Sequence, residues 1–380
     1  MPDHQNEREL TDCAPYDVIV AGAGPAGVAA ATVASQAGLR VCLLDEPSEQ
    51  LLKVGESLPG AALRLLRRLG IPTLSAILRS DECMPCVANA SMWGSDVWTY
   101  RDAIADPEGG GFHIVRHRFD RALLSYAISV GVDFVPRKLT AVSQGDGANL
   151  LVTTAGKGML SGRFLVDATG RAAVVSAKLG VRRKRVSDQV AVVGWFRHGD
   201  KDFDNTTRVK GIEDGWWYTA RLPQGLRVAA FHGLSGKVSR LKKQPERFVE
   251  CANDAHFLPN TLSLDHLAQP LKIVDASVGM CERVAGTAWL SVGDAALSFD
   301  PLSSQGIFFA LYSGIRGGEA LIQCLAYPVS IQRALSEYRM KVQRVFESNQ
   351  LARRLFYESE RRFSDSAYWK AQQEKWHESM

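Results

Sequence analysis

An apolar run of strand type, Tyr16-Asp17-Val18-Ile19-Val20-Ala21, ends at Gly22, and a small-residue run of helix type begins at Pro25. Between them, Gly22-Ala23-Gly24-Pro25-Ala26-Gly27 sets three glycines at the G-x-G-x-x-G spacing that a dinucleotide pyrophosphate requires. Gly22 permits the tight turn, Gly24 lets the backbone approach the phosphates, and Gly27 brings helix and strand close together. The helix N-terminus, Pro25 and Ala26 onward, offers unpaired N–H groups and partial positive charge to the anion. Val41-Cys42-Leu43-Leu44 reads as the second strand, ended by Asp45. A carboxylate there can accept hydrogen bonds from an adenosine ribose. Strand, turn, helix, strand and acid together predict an α/β fold of Rossmann type that grips a dinucleotide.

The chain of 380 residues has room for a large core and two domains. Apolar content of 46% and charged content of 23% are those of a soluble globular protein. The net charge is only +4 and no Lys/Arg block is dense, so a nucleic-acid partner is not expected. No apolar run approaches the ~18–20 residues of a membrane span. Met1 to Cys13 is polar and acidic and reads as a flexible lead-in, neither a secretory signal nor a transit peptide. Seven scattered cysteines fit a reducing cytoplasm. Cys83 and Cys86 form one C-x-x-C without the two further ligands of a zinc site, so no metal is expected. They read as two thiols near a strand start, with a redox role as the alternative.

Further strands are expected over 87–101, 132–135, 138–144, 149–154 and 158–166, with a turn at Gly145-Asp146-Gly147. Helices are expected from Pro59 to Leu69, from Arg118 to Val130, and after Gly306-Ile307 to about Cys324. The pieces that look nucleotide-binding are interrupted by β-rich inserts. The first domain is therefore expected to be discontinuous, over 1–82, 102–182 and 271–328. An antiparallel sheet from 83–101 and 183–270 would cover it as a substrate domain, and 329–380 would add amphipathic helices packed on the body.

Several motifs in order carry a resemblance: Gly22-x-Gly24-x-x-Gly27, Gly55-Glu56-Ser57, Arg116-His-Arg-Phe119-Asp120, Asp167-Ala-Thr-Gly170, and Gly293-Asp294 opening the last part. Over roughly residues 15–325 the chain resembles flavin-dependent monooxygenases of the para-hydroxybenzoate hydroxylase type. Within these it is most similar to the tryptophan halogenase-like branch. The resemblance implies a Rossmann-like FAD-binding domain, non-covalent FAD, and a C4a-hydroperoxide formed from reduced flavin and O₂. It implies that Asp294 bonds a ribityl or ribose hydroxyl and that the helix start at Gly306 and Ile307 faces the isoalloxazine. Gly293 opens that segment. Arg116 would reach the pyrophosphate or ribityl, or else be a surface arginine at a helix start. Asp167 would lie near the pyrophosphate, or serve only as a helix cap.

Trp93, Trp195, Trp216, Trp217, Tyr218 and Phe231 concentrate enough aromatic surface to wall a pocket for an aromatic substrate, or to pack a sheet. His113, His232 and Glu56 are the candidates for acid–base help, each with a structural alternative. Halogenases of this branch carry a lysine after the Gly-Glu-Ser element and a glutamate in a Pro-Leu-Glu-Ser-Thr segment. Here Lys53 precedes the element, no lysine follows until Lys138, and Ser303 stands in Pro301-Leu302-Ser303-Ser304-Gln305. The pattern favours hydroxylation of an indole or phenol over halogenation. Gly215-Trp216-Trp217-Tyr218 and Ala220-Arg221-Leu222-Pro223 resemble a subgroup that hydroxylates a tryptophan inside a partner protein during quinone cofactor maturation. A flavin reductase of isoprenoid double bonds and a non-catalytic flavoprotein stay open as alternatives. No second G-x-G-x-x-G is present, so electrons come from NAD(P)H visiting the same domain or from a separate flavin reductase.

Overall fold

The computed structural model describes residues 14–374 apart from 47, 49, 146–148 and 199–201. The lead-in Met1 to Cys13 and most of the Gly145-Asp146-Gly147 turn lie outside the described residues. An eight-stranded sheet has five parallel strands at its centre. In spatial order they are Trp289–Ser291, Met159–Asp167, Tyr16–Ala21, Val41–Leu44 and Asp133–Val135. Tyr16–Ala21 is covered on both faces, which is why it reads as an unbroken apolar run rather than an alternation. The hairpin of Leu139–Gln144 and Leu150–Thr154 joins antiparallel to Met159–Asp167. This is the α/β Rossmann-like fold expected from the glycine turn.

Helices α1 (Pro25–Gln36), α2 (Ala62–Arg68), α3 (Arg116–Ser129), α4 (Val174–Lys178), α5 (Ser235–Lys243), α6 (Pro245–Asp254), α7 (Gly306–Ala326), α8 (Ile331–Ser359) and α9 (Ala367–Glu374) follow in chain order. α1 and α7 press together through small residues. A Cβ on Gly314 would stand 2.3 Å from the Ala26 carbonyl oxygen, so the close crossing depends on its absence. The first half of α8 buries Leu335, Tyr338 and Val342; the second half buries Asn349, Arg353 and Tyr357. Among the described residues no helix is long and apolar enough to cross a membrane.

A second sheet has seven strands. Its order is Lys272–Asp275, Val190–Arg197, Leu226–Gly233, Gly215–Leu222, Thr207–Ile212, Ala88–Met92, Thr99–Asp102. Two expectations need correction here. The sheet is not wholly antiparallel: Thr207–Ile212 runs parallel to Ala88–Met92. These two strands come from different inserts, and the long chain between them provides the crossover that parallel pairing requires. Lys272–Asp275, expected with the first sheet, pairs with Val190–Arg197 in the second. A four-residue strand carries no pattern that names its partner. Cys83–Pro85 joins neither sheet but forms a small one with Phe112–Ile114 and Ser57–Leu58. Cys86 is buried beyond it, its Sγ 3.3 Å from the Ala88 carbonyl oxygen, and every described cysteine is free.

Candidate active site

A cavity of about 910 Å³ opens where the parallel strands end and the second sheet begins. Ala21-Gly22, Leu44-Asp45, Ala168 and Val292 reach it from the carboxyl ends of four adjacent strands, the usual ligand position of open α/β sheets. At this end the three glycines divide their work. Gly22 has φ +107°, and a Cβ on it would lie 2.2 Å from the Ala168 carbonyl oxygen. A Cβ on Gly27 would lie 1.9 Å from the Gly22 carbonyl oxygen, so Gly27 serves packing and does not line the cavity. A Cβ on Gly24 would meet nothing within 4 Å. That open space lies on the cavity wall beside Pro25 and Ala26. Asp45 is also on the wall, its Oδ2 accepting the Ala23 N–H at 2.8 Å.

Arg116, the first residue of α3, lies on the wall as well. Its Nε donates to Asp120 at 2.8 Å and its Nη1 to the Val54 carbonyl at 3.2 Å. Gly55 has to be glycine for this, since a Cβ there would meet Nη1 at 2.3 Å. Burial works to raise the Asp120 pKa, but the cations of Arg116 and Lys53 outweigh it and hold the carboxyl below its ordinary range. Asp294 faces the cavity with Arg171 beside it, Nε to Oδ2 3.4 Å. Gly293, just before, is turned away: φ is +58° and its N–H donates to Ser313 Oγ at 2.8 Å. Gly306 and Ile307, at the start of α7, also line the wall.

Asp167 requires a correction. It is wholly buried and stands off the cavity wall. Its Oδ1 accepts from the N–H and hydroxyl of Thr169, and its Oδ2 from the N–H and hydroxyl of Ser176. It ties the end of its strand to the start of α4, so its work is local bracing.

The aromatic end is sorted by strand alternation, which places successive side chains on opposite faces. Trp216, Tyr218 and His232 face the cavity with Val193, Val228 and Ala230. Trp217 and Phe231 face the other way, packing with Phe248 and Phe257, and are not pocket residues. Trp195 stands one layer behind the wall, its Nε1 donating to Glu56 Oε1 at 2.8 Å. Trp93 belongs instead to a cluster with Tyr357 and Trp369, its Nε1 bonded to the Phe356 carbonyl. Of six aromatic candidates, Trp216 and Tyr218 reach the cavity.

His113 is also displaced from its candidate role. It lies fully buried in the small sheet, with Nε2 2.8 Å from Thr207 Oγ1, and burial pushes its pKa down to about 4. His232 is on the cavity wall and stacks flat on Trp216, ring centroids 3.6 Å apart and planes 1° from parallel. Burial pushes it down to about 3, so it is neutral at ordinary pH, and its Nδ1 is buried without a partner. Glu56 is on the wall too, and burial raises its pKa against the opposing Trp195 and Arg116 interactions. Burial, with the nearby Glu56 charge, also keeps the Tyr218 phenol un-ionised; its oxygen lies 2.9 Å from Ser57 Oγ. Arg171 and Asp300 escape sequence reasoning as site residues, yet both line the cavity. Arg171 directly follows the Asp167-Ala-Thr-Gly170 motif and Asp300 directly precedes Pro301-Leu302-Ser303-Ser304-Gln305, and that adjacency is the signal for each.

Residues 80–380 match the family model described as tryptophan halogenase. The chain belongs to the tryptophan halogenase family. Residues 17–92 also match the model described as glucose inhibited division protein A. "Putative FAD-dependent oxidoreductase LodB" of Marinomonas mediterranea is 27% identical over 362 residues, covering 93% of this chain and 96% of that protein. Tryptophan 2-halogenase of Chondromyces crocatus is 24% identical over 371 residues, covering 94% and 70%. The solved structure of the peptidyl tryptophan dihydroxylase QhpG superposes with a TM-score of 0.79 at 23% identity, covering 95% of this chain and 79% of that one. The protein is thus a flavin-dependent enzyme and its cofactor is FAD. The cavity fits that group. The one glycine of the turn with free space ahead of it stands at the helix start, with Asp45 to one side and Arg116 and Asp294 beyond.

Proposed function

We propose that this protein is an FAD-dependent monooxygenase that hydroxylates an indole ring, that of a tryptophan side chain in a partner protein. The observation that carries hydroxylation over halogenation is the state of the two lysines on the cavity wall. Lys53 is bound to Asp120 at 2.6 Å, and Lys138 stands 3.5 Å from Glu46. Lys53 is thus paired, and Lys138 is an exposed side chain beside Glu46. Lys53 precedes Gly55-Glu56-Ser57 while Lys138 lies far after it, so neither stands where the halogenase lysine would carry an oxidised halogen. The peptidyl substrate draws its support from the fold shared with QhpG.

Reduced FAD with O₂ supplies an electrophilic oxygen in such a site. This chain's residues would do the rest. Gly22, Gly24, Asp45, Arg116 and Asp294 would hold the cofactor, with Gly306 and Ile307 against its ring system. Trp216 offers one face of a flat aromatic pair, and Val193, Val228 and Ala230 keep water off the ring being oxidised. His232, held neutral by burial and stacked on Trp216, would add a flat, uncharged face to the wall against which the indole lies. Glu56, its pKa raised by burial, is the wall carboxyl that would exchange a proton with the substrate.

The test supplies FAD-loaded protein with ¹⁸O₂, chloride and bromide, a separate flavin reductase with NADH, and an unfolded tryptophan-bearing polypeptide. Labelled oxygen in the indole is expected. A halogenated ring without label would replace the proposal with halogenation. Mixing the oxidised protein with NADH or NADPH alone under nitrogen identifies the electron source: slow or absent bleaching is expected if a partner reductase is required.

A further inference from the structure

The second half of α8 turns polar residues inward, and they meet the cavity wall from behind. Arg353 Nε donates to Asp300 Oδ2 at 2.8 Å, with both side chains nearly wholly buried. Asp300 caps the Pro301–Ser303 turn, its Oδ1 accepting the Leu302 N–H at 3.1 Å, just ahead of the start of α7. The other end of the Arg353 guanidinium donates to Gln372 on α9. The Tyr357 hydroxyl lies 3.0 Å from both Asp300 Oδ2 and Gln189 Oε1. Gln189 Oε1 also accepts from the Tyr368 hydroxyl and, at 3.4 Å, from Trp216 Nε1. Trp216 is the plate on which His232 stacks. One buried network therefore joins α8 and α9 to two parts of the wall, the turn before α7 and the Trp216–His232 pair.

A buried ion pair contributes little net stability compared with apolar residues of the same volume. Its geometry, by contrast, is demanding, because the planar guanidinium presents its donors in a fixed fork. We propose that Arg353 is a positioning residue of the active site: through Asp300 it fixes the turn at the α7 start, and with Tyr357 and Gln189 it holds Trp216 in place. The inference rests on the cavity being the FAD and substrate cavity. It makes the C-terminal helices part of the site although none of their described residues lines it.

Arg353→Lys keeps the charge and loses the fork; Tyr357→Phe removes one hydroxyl and keeps the ring. FAD affinity, the long-wavelength band of bound flavin and the near-ultraviolet circular dichroism are measured for both. Arg353→Lys is expected to stay folded, to bind FAD about tenfold more weakly, the scale of one charge-assisted hydrogen bond, and to change the shape of the flavin band. Tyr357→Phe should move both readouts the same way by less. A merely structural role would lower the melting temperature and leave the bound flavin's spectrum alone. Folded variants with wild-type affinity and spectrum overturn the proposal. Should Arg353→Lys not fold, Tyr357→Phe decides on the same readouts. Wild-type protein that takes up no added FAD would instead overturn the reading of the cavity.

Discussion

The two ends of the cavity are built on different logic. At the glycine end one short segment, 21–27, does almost everything, and its demands are steric: two positions where a Cβ cannot stand and one where it could stand only at the cost of cofactor space. At the sheet end the wall is collected from strands at 190–197, 215–222 and 226–233, with Glu56 and Asp300 from distant loops. Its demands are chemical: which ring faces inward, which carboxyl is buried. The first kind of site fails all at once when changed. The second is expected to fail by degrees.

Gly27→Val is the harshest way to test the first half of that contrast. The new Cβ would have to occupy the position of the Gly22 carbonyl oxygen, so helix and strand must part. Soluble, folded protein should be lost. Recovery of a variant with native circular dichroism would show that the α1 contact is far more yielding than its geometry implies. Gly24→Val separates folding from binding. Nothing stands within 4 Å of a Cβ there, so the chain should fold, lose flavin and come out colourless. A yellow Gly24→Val protein would break the assignment of that space to the phosphates.

Those two positions also mark how far the amino-acid sequence alone can be read. The glycine turn is legible because sterics leave one residue type at fixed spacing, and a local rule needs no partner. Asp45 follows from the length of one βαβ unit. The sheet end is half legible. Gly215-Trp216-Trp217-Tyr218 announces an aromatic strand, but alternation sends Trp217 into the packing with Phe248 while Trp216 meets His232, and only the pairing with 226–233 decides which face is inward. His113 and Asp167 mislead for a related reason. A buried histidine bonded to Thr207 and a buried carboxylate bonded to Ser176 have the same one-letter code as reactive ones. The Arg353–Asp300 pair joins residues 53 apart in different elements, and no local pattern encodes it.

Asp294→Ala tests whether the contrast is one of degree along the cavity. Asp294 lies beyond the glycine turn, with the Arg171 guanidinium 3.4 Å away. Truncation should weaken FAD binding by about 1.5–3 kcal/mol, the range for a hydrogen bond to a charged group, while the fold stays intact. Titration of apoprotein with FAD measures it. Unchanged affinity would shift the ribityl contact away from Asp294, with Arg171 the next candidate.

The smallest effect separates a histidine that serves the fold from one that serves the cavity. Burial lowers His113 to about 4 and His232 to about 3 from an ordinary value of 6.5. In each case the unfolded chain binds a proton that the folded chain refuses. The stability each provides is complete above pH 6.5 and falls as the pH drops toward the folded value, by about 1.4 kcal/mol per pH unit per histidine. Glu56 acts in the opposite sense: its raised pKa means that its contribution is present below 4.5 and lost as the pH rises. Urea midpoints between pH 6 and 4.5 should therefore fall steeply for the wild type. His113→Gln and His232→Gln should each flatten the slope by one histidine's share. Adding FAD should leave the His113 share alone and alter that of His232, because only His232 shares a wall with the cofactor. Equal responses of the two would mean that His232, too, is part of the packing.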